Sequence, residues 1–447
     1  MKNIKLSYLL LLIVLSLLWL VADNVLTAPY QFFALRSSLV NYTGILAIGV
    51  MSFGMFLAIR PISIEPFLGG LDKSYRLHKW LGITALVLSV VHWLLVKAPK
   101  WLIGWGWMEK PVRKAATASG PSEPIPAIFQ FFRSQRGLAE DLGEWAFYAV
   151  VALVVLALLK RFPYRYFFKT HRLLAVVYLV LVFHSLVLMK TAYWSSPIGP
   201  LVAVLMLVGT LAAFVSLFRR VGHTRRAVGV IEQLVHHRDN RVLGVEIKLK
   251  DSWSGHAAGQ FAFVTFDPSE GPHPFTISSS WHNDGKLRFH IKGIGDYTAT
   301  LPKTLKVGDL VKVEGPYGTF NFRGNQPRQI WVAGGIGITP FIARMQARER
   351  HPETRSIDLF YSTSAPDQGF IDKLQQLAKR ANVQLHVLVS GKDGRLTADG
   401  LCQMVPEWQS ASVWFCGPAG FGQSLRQDLL ARGLAGEDFH QELFDMR

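Results

Sequence analysis

Four histidines stand inside or beside long apolar runs, and they come in matched pairs. His78 and His92 belong to one run and His171 and His184 to another, whereas the other ten of fourteen histidines lie beyond residue 220. An ionisable ring at membrane depth is costly and is usually kept for function. The plainer alternative is a polar residue hydrogen-bonded between helices, which explains one such histidine more easily than two pairs. His78 and His92 are 14 residues apart and His171 and His184 are 13 apart, so each pair spans about 20 Å of helix. With both helices running the same way, His78 matches His171 in depth and His92 matches His184. Two levels with two imidazoles each suit two bis-histidine haems stacked across a bilayer. One detail resists: 14 residues return to within about 40° of the same helix face, but 13 land roughly 140° away. Either the second helix is overwound towards 3₁₀ geometry or its two haems approach different faces.

Holding imidazoles at two depths requires spanning helices. Six segments lack Asp, Glu, Lys and Arg: Leu6–Ala22, Ser37–Ile59, Trp80–Val96, Trp145–Leu159, Leu173–Met189 and Thr191–Phe218. Spanning takes roughly 20 apolar residues, and flanking Lys and Arg can snorkel to make up a shortfall. Basic residues cluster in the loops 60–79 and 160–172 and at Arg219, Arg220, Arg225 and Arg226, which predicts that these three stretches face the cytoplasm. Lys2 and Lys5 ahead of the first run also fit a cleaved signal peptide; the later topology is the same either way. The net charge of +17 is largely this flanking charge, and no zinc-finger spacing accompanies it, so nucleic acid is not an expected partner. Cys402 and Cys416 are the only cysteines, which rules out a disulfide framework and a four-cysteine iron–sulfur cluster.

Beyond Arg219 the composition turns mixed and charged. Val228 to Ile231, Val242 to Leu249 and Phe261 to Phe266 read as strands separated by Gly, Pro and Asp clusters, and a small antiparallel barrel is expected to about Phe322. Within it lies His273-Pro274-Phe275-Thr276-Ile277-Ser278-Ser279, an extended segment whose hydroxyls can donate to a flavin ring and its ribityl chain. Lys292-Gly293-Ile294-Gly295-Asp296-Tyr297-Thr298 follows; its glycines allow close backbone approach, and Lys292 and Thr298 suit a pyrophosphate.

A third region opens on the strand Ile330–Ala333 and runs into Gly334-Gly335-Ile336-Gly337-Ile338-Thr339-Pro340. The glycines would let a dinucleotide approach, Thr339 can cap the next helix, and Pro340 suits its first turn. Strands at Ile357–Tyr361, Val383–Val389 and Val413–Cys416 alternate with helices, and the last ends in Cys416-Gly417-Pro418. Such alternation predicts a parallel sheet with a nucleotide at the strands' carboxyl ends. No acidic residue follows Tyr361-Ser362-Thr363-Ser364, and Lys392 and Arg395 are candidates to lie nearby; this slightly favours NADPH over NADH.

The histidine pairs, on the third and fifth of six helices and with the same unequal spacing, resemble the ferric reductase and NADPH oxidase superfamily. The His-Pro-Phe-Thr and Lys-to-Thr motifs, with Gly-Gly-x-Gly-x-Thr-Pro and Cys-Gly-Pro, are similar to the flavin and nicotinamide domains of the ferredoxin reductase family. The resemblance implies a haem membrane domain at 1–220, an FAD-binding barrel at 223–325 and an NAD(P)-binding α/β domain at 326–447. It implies that His78 and His171 hold an inner haem b and His92 and His184 an outer one. It also implies FAD bound by His273, Pro274, Phe275, Thr276, Lys292 and Thr298, with Ser278 and Gly295 as further candidates. Cys416 would lie near the nicotinamide, the alternative being a small buried hydrophobe, and Phe444 would cover the flavin unless it is only part of a packed terminal strand. The expected activity is electron transfer from NAD(P)H through FAD and two haems, in the inner (plasma) membrane, to an acceptor outside the cytoplasm. Ferric chelates, dioxygen and a periplasmic redox protein remain open as acceptors. The rival from another class is a haem-free transporter or anchor with a regulatory nucleotide-binding module.

Overall fold

A computed structural model describes residues 2–23, 31–109, 127–159 and 161–442. The chain divides near residue 222 into two compact units.

Among the described residues, the first unit contains six helical spans long and apolar enough to cross a membrane. They are α1 (Lys2–Ala22), α2 (Phe32–Ala58), α3 (Leu71–Gly104), α4 (Arg136–Leu158), the pair α5 (Tyr164–His171) and α6 (Leu173–Leu188), and α7 (Ile198–Leu217). The sixth span starts at Ile198 rather than Thr191 because Pro197 precedes its first turn. Half of the most apolar window of α2 is buried, against 11% for the α5–α6 span, so α2 is the helix the others pack around. Leu6, Leu9, Leu10, Ile13 and Leu17 of α1 are exposed, as expected of a helix whose outer face meets lipid. Trp101, Trp105 and Trp107 are exposed at the end of α3 and just beyond it, the placing of an interfacial aromatic belt.

Two features depart from regular helix. Pro99 inside α3 has no N–H to give to Leu95 O. Arg36 of α2 supplies the missing donor: its Nε lies 2.7 Å from Leu95 O and its Nη2 3.0 Å from Val96 O. The fifth span is interrupted at Arg172, directly after His171. There Ala175 N–H bonds to Arg172 O at 3.1 Å, an i→i−3 link that tightens the turn. Local overwinding therefore accompanies the 13-residue spacing.

The second unit opens with a six-stranded antiparallel sheet, in the order β4-β3-β6-β1-β2-β5. Its strands are β1 (Arg226–His237), β2 (Val242–Leu249), β3 (Phe261–Thr265), β4 (His273–Thr276), β5 (Lys286–Lys292) and β6 (Leu310–Tyr317). Ile231, Val245, Ile247, Val264, Leu287, Phe289 and Val313 form its core. The expected barrel does not close. The edge strand β4 has only four residues, one of them Pro274, and past its end a single bridge joins Ile277 to Phe289 of β5. Helix α8 (Asp296–Thr304) lies between β5 and β6.

A five-stranded parallel sheet follows, in the order β11-β10-β7-β8-β9. Here β7 (Arg328–Gly334), α9 (Thr339–Arg350), β8 (Ser356–Thr363), α10 (Gln368–Arg380), β9 (Gln384–Val389), β10 (Ala411–Cys416) and α11 (Ala419–Ala431) alternate as expected. A short β11 (Phe439–Gln441) adds a terminal strand beside β10. Trp331, Phe341, Leu359 and Trp414 fill one face of the sheet and Ile330, Val332, Leu401 and Phe415 the other.

Candidate functional site

The four membrane histidines meet in the pairs their depths predict. The rings of His78 and His171 have centroids 5.8 Å apart, and those of His92 and His184 are 6.2 Å apart. A metal–nitrogen bond of about 2 Å, plus roughly 1.1 Å to the ring centre, places two imidazoles across one iron roughly 6 Å apart. Both pairs fit that span. Among the described residues no group of three or more His, Cys, Asp or Glu could hold a metal ion. A bare ion needs three or four protein donors, whereas two axial imidazoles suffice where a porphyrin supplies the rest. Two imidazoles at each level are therefore a donor set that would suit haem.

Neighbouring helices orient the rings. His78 Nδ1 lies 2.9 Å from Gly54 O, His92 Nδ1 3.0 Å from Val40 O, and His184 Nδ1 2.8 Å from Ala139 O. A carbonyl can only accept, so each Nδ1 carries the proton and each Nε2 keeps its lone pair for a metal. Thr43 Oγ1 adds a second contact to His92 Nδ1 at 3.1 Å. The α2 acceptors Val40 and Gly54 are 14 residues apart, matching His92 and His78 on the antiparallel α3. Glycine makes room: a Cβ at Gly143 would sit 2.0 Å from His184 Nδ1, and one at Gly44 3.4 Å from His92 Cε1. His171 differs, since its buried Nδ1 has no hydrogen-bond partner among the described residues.

Two polar side chains near the histidines are tied into the helix bundle. Tyr178, midway between the histidines of the fifth span, gives its hydroxyl to the α2–α7 core, 2.8 Å from Ser52 Oγ and 3.3 Å from Met206 O. Arg172 reaches the last turn of α7, with Nη2 2.8 Å from Leu217 O.

In the second unit, His273, Pro274, Phe275 and Thr276 form β4. The His273 ring stacks on Tyr297 at 4.6 Å and 23°, joining the two motifs through a residue that the sequence reading included in the second motif without giving it a role. Burial pushes the His273 imidazole down to about 4 and the Tyr297 phenol up to about 12, so both rings are neutral across the physiological range. Thr298 Oγ1 accepts from Gly295 N–H at 3.1 Å and Ile294 N–H at 3.2 Å, which shapes the loop that begins α8. Ser278 is fully buried: its hydroxyl donates to Arg288 O at 2.9 Å and lies 2.8 Å from His290 Nδ1, inside the sheet.

The two cofactor motifs approach each other. Lys292 Nζ lies 3.8 Å from where a Cβ on Gly335 would be, and Gly335 has φ +56°. The other glycines serve a close crossing of strand ends. A Cβ at Gly337 would fall 2.1 Å from Cys416 O, one at Gly334 2.6 Å from Pro418 Cδ, and one at Gly417 2.9 Å from Gly334 Cα. Thr339 is the first residue of α9 and its hydroxyl donates to Ile336 O at 3.2 Å, so it does not cap from outside; Pro340 sits in the first turn. Cys416 is fully buried, and burial holds its thiol well above the usual range. Glu442, a residue the sequence did not flag, is buried and close enough to Cys416 to add to that shift. Thr363 and Val389 pair at the ends of β8 and β9, so Lys392 and Arg395 follow a strand end adjoining the Tyr361–Ser364 segment. Phe444 lies outside the described residues.

Residues 43–182 match the family "Ferric reductase like transmembrane component", and residues 229–321 match an FAD-binding domain. CDP-6-deoxy-L-threo-D-glycero-4-hexulose-3-dehydrase reductase of Yersinia pestis is 24% identical over 198 residues, 42% of this chain and 60% of that protein. A flavohemoprotein of Oceanobacillus iheyensis is 25% identical over 162 residues, 34% of this chain and 40% of that one. The chain thus spans 60% or less of the length of these two relatives. The FAD/NAD-binding domain of nitric oxide dioxygenase from Vibrio cholerae O1 biovar El Tor is 22% identical, with a TM-score of 0.43 over 48% of this chain and 97% of its own.

Proposed function

Because this chain is a ferric-reductase-like fusion, a transmembrane domain of that kind joined to an FAD-binding reductase module, we propose that it carries electrons from NAD(P)H through FAD and two b-type haems across the membrane. The observation that carries this reading is the pair of imidazole couples, 5.8 Å and 6.2 Å apart, on spans long enough to cross a membrane. When bound, flavin would supply hydride acceptance and one-electron release, and haem would supply one-electron acceptance.

The protein's own part is positioning. His78 and His171 would ligate one haem and His92 and His184 the other. Gly54, Val40 and Ala139 fix three of the rings through Nδ1. His273, Pro274, Phe275, Thr276 and Lys292 would hold FAD, with the neutral His273–Tyr297 stack as an aromatic wall. The loop Gly334–Pro340, with Cys416, Gly417 and Pro418, would hold the nicotinamide nucleotide. The basic loops support a cytoplasmic side for the FAD and nucleotide modules at a plasma membrane, with the acceptor on the other side.

A visible spectrum of haem-replete membranes tests the reading. Two bis-histidine haems per chain are expected, with paired loss on replacing His78 or His171 by Ala and, separately, His92 or His184. Absence of a Soret band would overturn it. The acceptor is a ferric chelate, dioxygen or a periplasmic redox protein. Cytochrome c reduction that superoxide dismutase abolishes marks dioxygen, and a rise on adding a protein partner marks the third.

A further inference from the structure

The four candidate ligands are not held equally. His78 and His92 sit on α3, a continuous helix of 34 residues, and each has its Nδ1 on a carbonyl of α2. His184 has its Nδ1 on Ala139 O of α4 and is backed by Gly143 with no space to spare. These three rings are each tied to a different helix from their own.

His171 has none of this. Its Nδ1 is buried without a partner among the described residues. It is the last residue of α5, an eight-residue helix with no buried residue, and the chain breaks from helix at the next position. Its stacking neighbour is Phe167, at 5.0 Å and 24°. Phe167 lies four residues earlier on the same short helix, so this stack ties His171 to its own helix and not to another. Outer partners raise a ligand's basicity and fix its orientation, and losing one typically weakens metal binding about 10–100-fold.

We propose that, on the two-haem reading above, His171 is the exchangeable ligand, so that the His78–His171 haem admits a small neutral sixth ligand of the carbon monoxide class at concentrations about 10–100-fold below those the His92–His184 haem needs. In the exchange the iron–Nε2 bond to His171 breaks and an iron–carbon bond forms. The iron stays ferrous, with dithionite as the reductant, and the released imidazole stays neutral, so no proton or electron moves.

The test is a carbon monoxide titration of the dithionite-reduced full-length protein, followed by Soret difference spectra. Haem content is measured separately as the pyridine haemochrome. With two haems per chain, about half the haem should respond at low ligand, and the other half should need about 10–100-fold more. A chain with His92→Ala and His184→Ala should keep the sensitive phase, and one with His78→Ala and His171→Ala should lose it. The wild-type titration alone is decisive should either variant misfold: a single phase covering both haems, or no response at any concentration, overturns the proposal. So does assignment of the sensitive phase to the His92–His184 haem. Fewer than two haems per wild-type chain would instead count against the two-haem reading itself.

Discussion

On the two-haem reading proposed above, replacing Gly143 by alanine should cost the protein the haem at His92 and His184 and spare the other. A Cβ there would lie 2.0 Å from His184 Nδ1 and 2.4 Å from Cε1, whereas ordinary contact begins at 3.4 Å. The ring must retreat by about 1.4 Å, which carries Nδ1 out of hydrogen-bond range of Ala139 O, now 2.8 Å away. Loss of such an outer partner weakens metal binding about 10–100-fold, or roughly 1.4–2.8 kcal/mol. The better helix propensity of alanine returns at most about 1 kcal/mol to α4 and nothing to the haem. Gly137 is the matched control, on the same helix, where an added Cβ would meet nothing within 4 Å. Haem per chain and the reduced Soret spectrum should therefore change in Gly143→Ala and not in Gly137→Ala. Two undisturbed haems in Gly143→Ala, or selective loss of the His78–His171 haem, would refute the packing argument.

Three further outcomes follow from the same geometry. Arg36→Met should lower thermal stability in detergent by about 1–3 kcal/mol by stripping Leu95 and Val96 of their donors, and by less in a Pro99→Ala background, where α3 supplies its own N–H. Burial holds His290 at about 4 against an ordinary 6.5, so below about 6.5 the unfolded chain takes up a proton that the folded chain refuses. Stability should fall as pH drops from about 6.5 to about 4, by up to about 3 kcal/mol from this residue; flavin release followed by fluorescence checks it, and His290→Gln should flatten the slope. Cys402 is partly exposed and Cys416 fully buried, so iodoacetamide at about pH 8 should label Cys402 first by mass spectrometry.

The histidine pairs were legible because imidazoles stand out against apolar runs and helix rise converts spacing into depth. The strand–helix alternation of the last region was legible for a similar reason, since buried strands such as Val413–Cys416 are continuous apolar runs. The break at Arg172 was not, because arginine is a good helix former and no glycine or proline adjoins it. Ser278 looked available as a hydroxyl beside the flavin motif, yet only three-dimensional pairing shows it spent on Arg288 O and His290. The open sheet depends on β4 being four residues long, an edge that local pattern does not fix. Gly334, Gly337 and Gly417 read as room for a nucleotide, but part of their reason is the crossing of two strand ends, a contact between positions some 80 residues apart.

Helix α2 has a mechanical consequence of its own. By offering one carbonyl at Val40 and another at Gly54, it acts as a gauge rod, fixing the separation of the two levels at about 21 Å of helix. A bilayer that thins or thickens can tilt such a rod but cannot stretch it. The tunnelling gap between the two haems would then be indifferent to lipid composition. It would be intolerant of a single-residue insertion between those two carbonyls, which swings one of them about 100° around the axis.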